Sequence, residues 1–259
     1  MTPITEIIAA ARPIDTGFAT AIPVDWMQGR TAYGGLSSAL AFHAAQACEP
    51  DLPPLRSAQI SFIGPLAGTV EVRAAKLRRG RNAAFIQADV FAQSGLGLRA
   101  TFVFMADQTS RVDYQHATST ARTPPAPDAK LYTGPDEFFT GNFNFVDIRE
   151  DVLGDAELLR WARLRARGGL DAMTEVLAMA DGLPPAAFKL FGADANAPIS
   201  SLTWIINLLT PTPTTTEGWW LLGAKSGYAR NGCSSQSMAI WNAKGDMVAQ
   251  GMQSVAIFG

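Results

Sequence analysis

The sequence predicts an α+β protein made of two copies of one unit, each a long helix wrapped by an antiparallel sheet. Three observations carry that expectation. The chain repeats itself loosely about its middle, each half sets a helical stretch ahead of a run of strands, and the strands alternate with period two. Gly34-Gly35-Leu36 opens a helical stretch in the first half and Gly168-Gly169-Leu170 opens one in the second. Pro65 closes the alternating segment SAQISFIG, as Pro211 closes SLTWIINLLT. Phe91, Gly95 and the strand LRATFVFM match Trp241, Gly245 and VAQGMQSVAIF.

Residues 107–136 are the least periodic part of the chain and contain the Pro-rich TPPAPD from Thr123 to Asp128. This divides the protein into an N-terminal unit over 1–110, a linker over 111–136 and a C-terminal unit over 137–259. Within each unit the strands are rich in Val, Ile, Phe and Trp, and turns such as Gln93-Ser94-Gly95 and Ala243-Lys244-Gly245 join them as hairpins. Each sheet has one apolar face to bury, and the helix that precedes it is the available cover. The duplicated arrangement is a double hot-dog, with the two sheets expected to meet edge to edge, because an isolated sheet edge invites pairing.

Composition narrows the function classes. With 47% hydrophobic and 17% charged residues the chain can bury a large core, which argues against disorder. A formal net charge of −2 supplies no basic field for a polyanion, so nucleic acid is a poor partner. Cys48 and Cys233 have no CxxC or Cys/His spacing, which gives no metal site and fits a reducing compartment. No apolar run reaches the ~18 residues of a membrane span. The expectation is a cytoplasmic protein without a cofactor, associating with copies of itself through sheet edges or faces.

Three polar residues stand where apolar ones belong. Leu170, Met173, Thr174, Leu177, Ala180 and Asp181 form one helical stripe, so Asp181 ends the core-facing side, near the negative end of the helix dipole and just before Gly182, Pro184 and Pro185. Counted from the shared Gly-Gly-Leu, its first-half counterpart is Ala47. In the last strand Gln253 interrupts the row Met247, Ala249, Gly251, Val255 and Ile257, and counted from Gly95 and Gly245 its counterpart is Val103. Ser201 begins the strand SLTWIINLL, in a row with Thr203 and Asn207 opposite the apolar Leu202, Trp204, Ile206 and Leu208. Each has a structural explanation: a helix-end turn, a satisfied buried amide, a serine at a strand entry. Their conjunction in one half points to a site.

At these residues the chain resembles the TesB-like acyl-CoA thioesterases, the acyl-CoA thioesterase II group of double hot-dog proteins. The resemblance lies in LRWARLRA, LAMADGLPPAAF, ISSLTWIINLL and WNAKGDMVAQGMQSV, with AYGGLSSALAFHAA and LRRGRNAAF in the first half, and it spans nearly the whole chain. It implies an enzyme of fatty acid metabolism that hydrolyses acyl-CoA to free acid and CoA. It also implies that Asp181, Ser201 and Gln253 hold and activate the water, Ser201 standing where the family usually has Thr. That departure keeps the hydroxyl and loses the methyl that restricts its rotamers.

Other candidates follow from the chemistry such a reaction needs. Backbone N–H groups at Tyr33, Gly34 and Gly35 are potential oxyanion donors, although a Gly-Gly pair is more often a packing or turn device. Arg78, Arg79 and Arg81 flank a turn, and Arg78 and Arg81 are candidates for the CoA phosphates, against the plainer reading of a solvated hairpin. GxSxG is absent, and neither cysteine has a nucleophile signature. His43 falls on the inner stripe of the first helix and reads as a core residue, while His116 lies in the linker; no His–carboxylate pair emerges, which counts against a dehydratase. Two other readings stay open: a hot-dog protein that binds acyl-CoA or another apolar ligand without hydrolysing it, and an assembly unit using exposed residues such as Trp219 and Trp220.

Overall fold

The structure, a computed structural model, describes residues 1–117, 119–148, 153–194 and 198–258. The chain begins with α1 (Ile4–Ala9), β1 (Arg12–Ile14), β2 (Gly17–Ala21) and a small ribbon of β3 (Met27–Gln28) with β4 (Thr31–Ala32). Then come α2 (Gly34–Cys48), β5 (Leu55–Phe62), β6 (Thr69–Arg79), β7 (Ala83–Ala92) and β8 (Gly95–Met105). Among the described residues, 106–131 form no helix or strand. The second half follows as β9 (Phe143–Asp147), β10 (Glu157–Leu164), α3 (Ala172–Ala180), β11 (Ile199–Leu208), β12 (Trp220–Arg230), β13 (Cys233–Trp241) and β14 (Met247–Ile257).

Twelve of these strands form one antiparallel sheet in the order β1-β2-β6-β7-β8-β5-β11-β14-β13-β12-β10-β9. Read outward from the centre, the two halves have matching orders. The seam is the antiparallel pair β5–β11, with Trp204 opposite Ile60 and Ile206 opposite Ala58. The double hot-dog is therefore a continuous sheet in which each half supplies the edge partner of the other.

Helix α2 is buried from Gly35 through Phe42 without a break, as a helix enclosed on all sides should be. Its Ser37 and Ser38 hydroxyls bond one turn back, to the Tyr33 and Gly34 carbonyls at 3.2 and 2.7 Å, so no polar group is stranded. Phe42 packs on Phe102 and Phe104 at centroid distances of 5.5 and 6.1 Å. Against α3 the approach is closer still: a Cβ on Gly35 would lie 2.3 Å from the Ala178 carbonyl oxygen. Tyr33 donates its hydroxyl to that same oxygen at 2.7 Å.

Three sequence expectations change here. Helix α3 has nine residues and starts at Ala172, not at Gly168, because the Asp171 side chain caps it by accepting the Met173 N–H at 2.8 Å. Gly169, at φ +73°, belongs to the preceding turn. Aligned on their N-caps, Tyr33 and Asp171, the helices equate Asp181 with His43 rather than Ala47. His43 is half-buried with its ring edge-on to Phe18, and it feels the charge of Asp171. Second, between the matching pairs Phe91–Leu96 and Trp241–Met247 the connection from β13 to β14 is one residue longer than that from β7 to β8. The inward pairs Ile86–Phe102 and Gln236–Gln253 correspond, so the counterpart of Gln253 is Phe102 and not Val103. Third, Trp219 and Trp220 are buried, at 3% and 1% exposure, and present no exposed patch.

Candidate functional site

Asp181 is the C-cap of α3, so the helix delivers its carboxyl beyond the last buried turn, opposite the start of α2. Gln253 lies on the inner row of β14 and is 3% exposed. Its Nε2 donates to Asp181 Oδ1 and to Ser201 Oγ, both at 2.9 Å. One amide thus joins the carboxylate and the hydroxyl, each held by a different element.

Ser201 reaches this cluster through a feature that simple alternation misses. Between Ser201 and Thr203 the β11–β14 register slips: Ser201 faces Val255, Thr203 faces Ser254, and Trp204 faces Gln253. The bulge at Leu202 turns that side chain out to 40% exposure and brings Ser201 onto the inner face with Trp204. Ser201 is therefore not in the row of Thr203 and Asn207. The β5–β8 pair has the equivalent slip between Leu55 and Ser57, which makes Leu55 the counterpart of Ser201. At the equivalent place the first half has His43, Leu55 and Phe102, so it lacks the carboxylate, the hydroxyl and the amide.

A fourth polar residue was missed in the sequence. Gln236 on β13 is opposite Gln253, is 1% exposed, and donates its Nε2 to Gln253 Oε1 at 2.6 Å. Its own Oε1 accepts the Ala186 N–H at 2.8 Å. The signal was weak, because Gln236 shares its row with the polar Ser234 as well as with Met238 and Ile240, inside the polar run Ser234-Ser235-Gln236-Ser237. Glu175 was missed too: it is buried in α3, bonded by the Arg167 guanidinium at 3.1 and 2.9 Å and by Trp220 Nε1 at 3.0 Å, a fixture that ties α3 to β12.

The wall opposite Asp181 is the first turn of α2. A Cβ on Gly34 would stand 2.5 Å from Asp181 Oδ2 and 2.9 Å from the Phe62 ring, so only glycine leaves the carboxylate room there. No side chain caps α2. Of the three proposed oxyanion donors, Tyr33 drops out, since its N–H is spent on the Trp26 carbonyl at 2.9 Å and its ring stacks on Phe139. Gly35 faces α3 and serves helix packing, while Gly34 faces the carboxylate. Arg78 and Arg81 are not brought to this cluster. Their hairpin lies by Asp51, whose carbonyl accepts from Arg79, and Asp51 lines a cavity with Asp171 at the far end of α3, about 15 Å along the axis from Asp181.

Burial pushes the Asp181 carboxyl up from 3.8 to about 7, against the Gln253 hydrogen bond, which pulls it down. The residue as a whole keeps partial exposure, while its carboxyl is desolvated enough for its proton affinity to be poised near neutrality. Tyr33 is raised well above its ordinary 10.0, by burial and then by the nearby Asp181 charge.

A family model described as the acyl-CoA thioesterase C-terminal domain matches residues 114–257, and one described as the N-terminal domain matches residues 22–105. Among solved structures, a hot-dog protein of unknown function from Alicyclobacillus acidocaldarius superposes with a TM-score of 0.82 at 19% identity, covering 100% of this chain and 99% of that one. A tesB protein from Mycobacterium avium subs paratuberculosis gives 0.79 at 17% identity, with both chains covered completely. An acyl-CoA thioesterase II from Mycobacterium marinum gives 0.75 at 14%, covering 99% and 97%. At these identities the superpositions speak for the fold. No curated protein sequence matches the chain.

Proposed function

We propose, from the premise that this chain belongs to the acyl-CoA thioesterase family and is a thioesterase, that the cluster around Asp181 performs the hydrolysis. Asp181, ionised, takes a proton from a water as that water attacks the thioester carbonyl. The oxyanion that develops meets the uncapped N-terminus of α2 at Gly34, where backbone N–H groups and the helix dipole favour negative charge. Collapse of the tetrahedral intermediate breaks the C–S bond, and the proton on Asp181 goes to the departing thiolate, which regenerates the base. Ser201 accepts from Gln253, so its own O–H proton is available to fix the water. A base of this kind contributes roughly 10²- to 10⁴-fold.

The observation that carries the reading is the convergence on one Gln253 amide nitrogen of a hydroxyl and of a carboxylate whose proton affinity lies near neutral pH. The opposed location in the first half, with His43, Leu55 and Phe102, offers no such set, so one site per chain is expected. Thiol release should be followed for acyl-CoAs from acetyl to palmitoyl, aromatic acyl groups included. Saturable release of free CoA is expected for at least one class. Binding of acyl-CoA without thiol release would replace this reading by that of a non-hydrolysing ligand-binding protein.

A further inference from the structure

We propose that Gln236 is the positioning residue that fixes the polarity of the site, through a one-way relay of hydrogen bonds starting at the backbone of Ala186. The proposal rests on the hydrolytic reading of Asp181, Ser201 and Gln253. A primary amide has an accepting end and a donating end of nearly equal size, so a buried glutamine faces either way unless a partner decides. Gln253 alone has two arrangements open to it: nitrogen toward Asp181 and Ser201, or oxygen toward them. Only the first lets it donate to an ionised carboxylate.

The decision is made two residues away. The Ala186 N–H can only donate, so the Gln236 oxygen must face it, at 2.8 Å. That sets the Gln236 nitrogen toward β14, where it donates to Gln253 Oε1 at 2.6 Å. With its oxygen engaged, Gln253 has its nitrogen left for the site, and both of its N–H bonds are spent there, on Asp181 Oδ1 and Ser201 Oγ. All members of the relay between Ala186 and Gln253 are buried, so water does not compete for either amide. Ala186 follows Asp181 by five residues, so the same bond anchors the chain that leaves the carboxylate. In the first half the positions equivalent to Gln236 and Gln253 are Ile86 and Phe102, and no relay exists.

Gln236 touches neither Asp181 nor Ser201 by any hydrogen bond, so its removal tests position and not chemistry. In Gln236→Met the Gln253 amide loses its lock. The expected result is a kcat roughly 10- to 100-fold lower with KM little changed, since a misplaced Gln253 amide misplaces the carboxylate and the hydroxyl it holds. The acid limb of the pH profile should move upward, because the bond that holds the Asp181 carboxyl down is weakened; Tyr33 is the other titratable group that responds to this carboxylate. A readout independent of turnover is the titration of Asp181 followed by carboxyl ¹³C NMR in wild type and variant. An Asp181 titration and a kcat both unchanged in Gln236→Met would overturn the relay. Should that variant not fold, Gln236→Glu decides: a protonated glutamic acid repeats both bonds and an ionised one cannot donate. Its activity relative to wild type should therefore fall as pH rises, and a constant ratio would overturn the relay. A shifted Asp181 titration in a protein whose wild type releases no thiol would instead retain the relay and reject hydrolysis.

Discussion

Replacing Asp181 by Asn should make the protein more stable at neutral pH, a consequence of burying an ionisable group for use and not for support. In the folded chain the carboxyl is raised from 3.8 to about 7 by burial. A group raised in this way contributes fully below its unfolded value, and that contribution drains away as pH climbs through the folded one. Between pH 4 and 7 the unfolded chain ionises Asp181 freely while the folded chain resists. At about 1.4 kcal/mol for each tenfold gain in proton affinity, the rise from 3.8 to about 7 sets a ceiling of about 4 kcal/mol for the cost of the carboxylate above pH 7. Partial exposure of the residue relaxes this, and about 1 to 3 kcal/mol is expected. Asparagine keeps the size and an oxygen for the Gln253 amide, and it never ionises. Urea unfolding of wild type and Asp181→Asn at pH 4, 5.5, 7 and 8 reads the effect directly. The two should differ little at pH 4 and diverge progressively, with the gain levelling off above pH 7. A variant less stable than wild type at pH 8, or a difference independent of pH, would refute the idea that Asp181 sits in a desolvated place.

Further outcomes follow from the same geometry. The kcat/KM of the free enzyme should fall with unit slope below about pH 7, since only ionised Asp181 accepts a proton, and a profile flat from pH 5.5 to 8.5 would assign the base elsewhere. Gly34→Ala should lower kcat about 10- to 100-fold and also lower the melting temperature, because its Cβ would overlap Asp181 and the Phe62 ring and force one of them to move. Ser201→Ala should cost roughly 10-fold in kcat, equivalent to about 1.4 kcal/mol, whereas Ser201→Thr keeps the hydroxyl and should stay within a few-fold of wild type.

Much of this molecule was legible in its sequence because the strand rows obey a local rule. Period-two alternation located Gln253 on the inner face of β14, and the helical stripe located Asp181 at the buried end of α3. What was not legible depends on register between strands. The bulge at Leu202 moves Ser201 from one face to the other, and nothing within SLTWIINLL signals it, because the slip exists only relative to β14. One extra residue in the β13–β14 connection and the cap at Asp171 likewise displaced the first-half counterparts, from Val103 to Phe102 and from Ala47 to His43. Gln236 is a different case, since it lies in the polar run Ser234-Ser235-Gln236-Ser237, where no alternation sets it apart, and only the pairing of β13 with β14 brings the two amides together. Arg78 and Arg81 were grouped with the site on charge alone, and charge has no address along a sheet until the strand order is known.

The sharpest test compares thiol release from the best acyl-CoA substrate by wild type and Asp181→Asn at pH 8, with both proteins shown to be folded. A loss of at least ~10²-fold in kcat is expected if the second-half carboxylate activates the water. Equal rates in the two proteins would mean that the water is activated elsewhere.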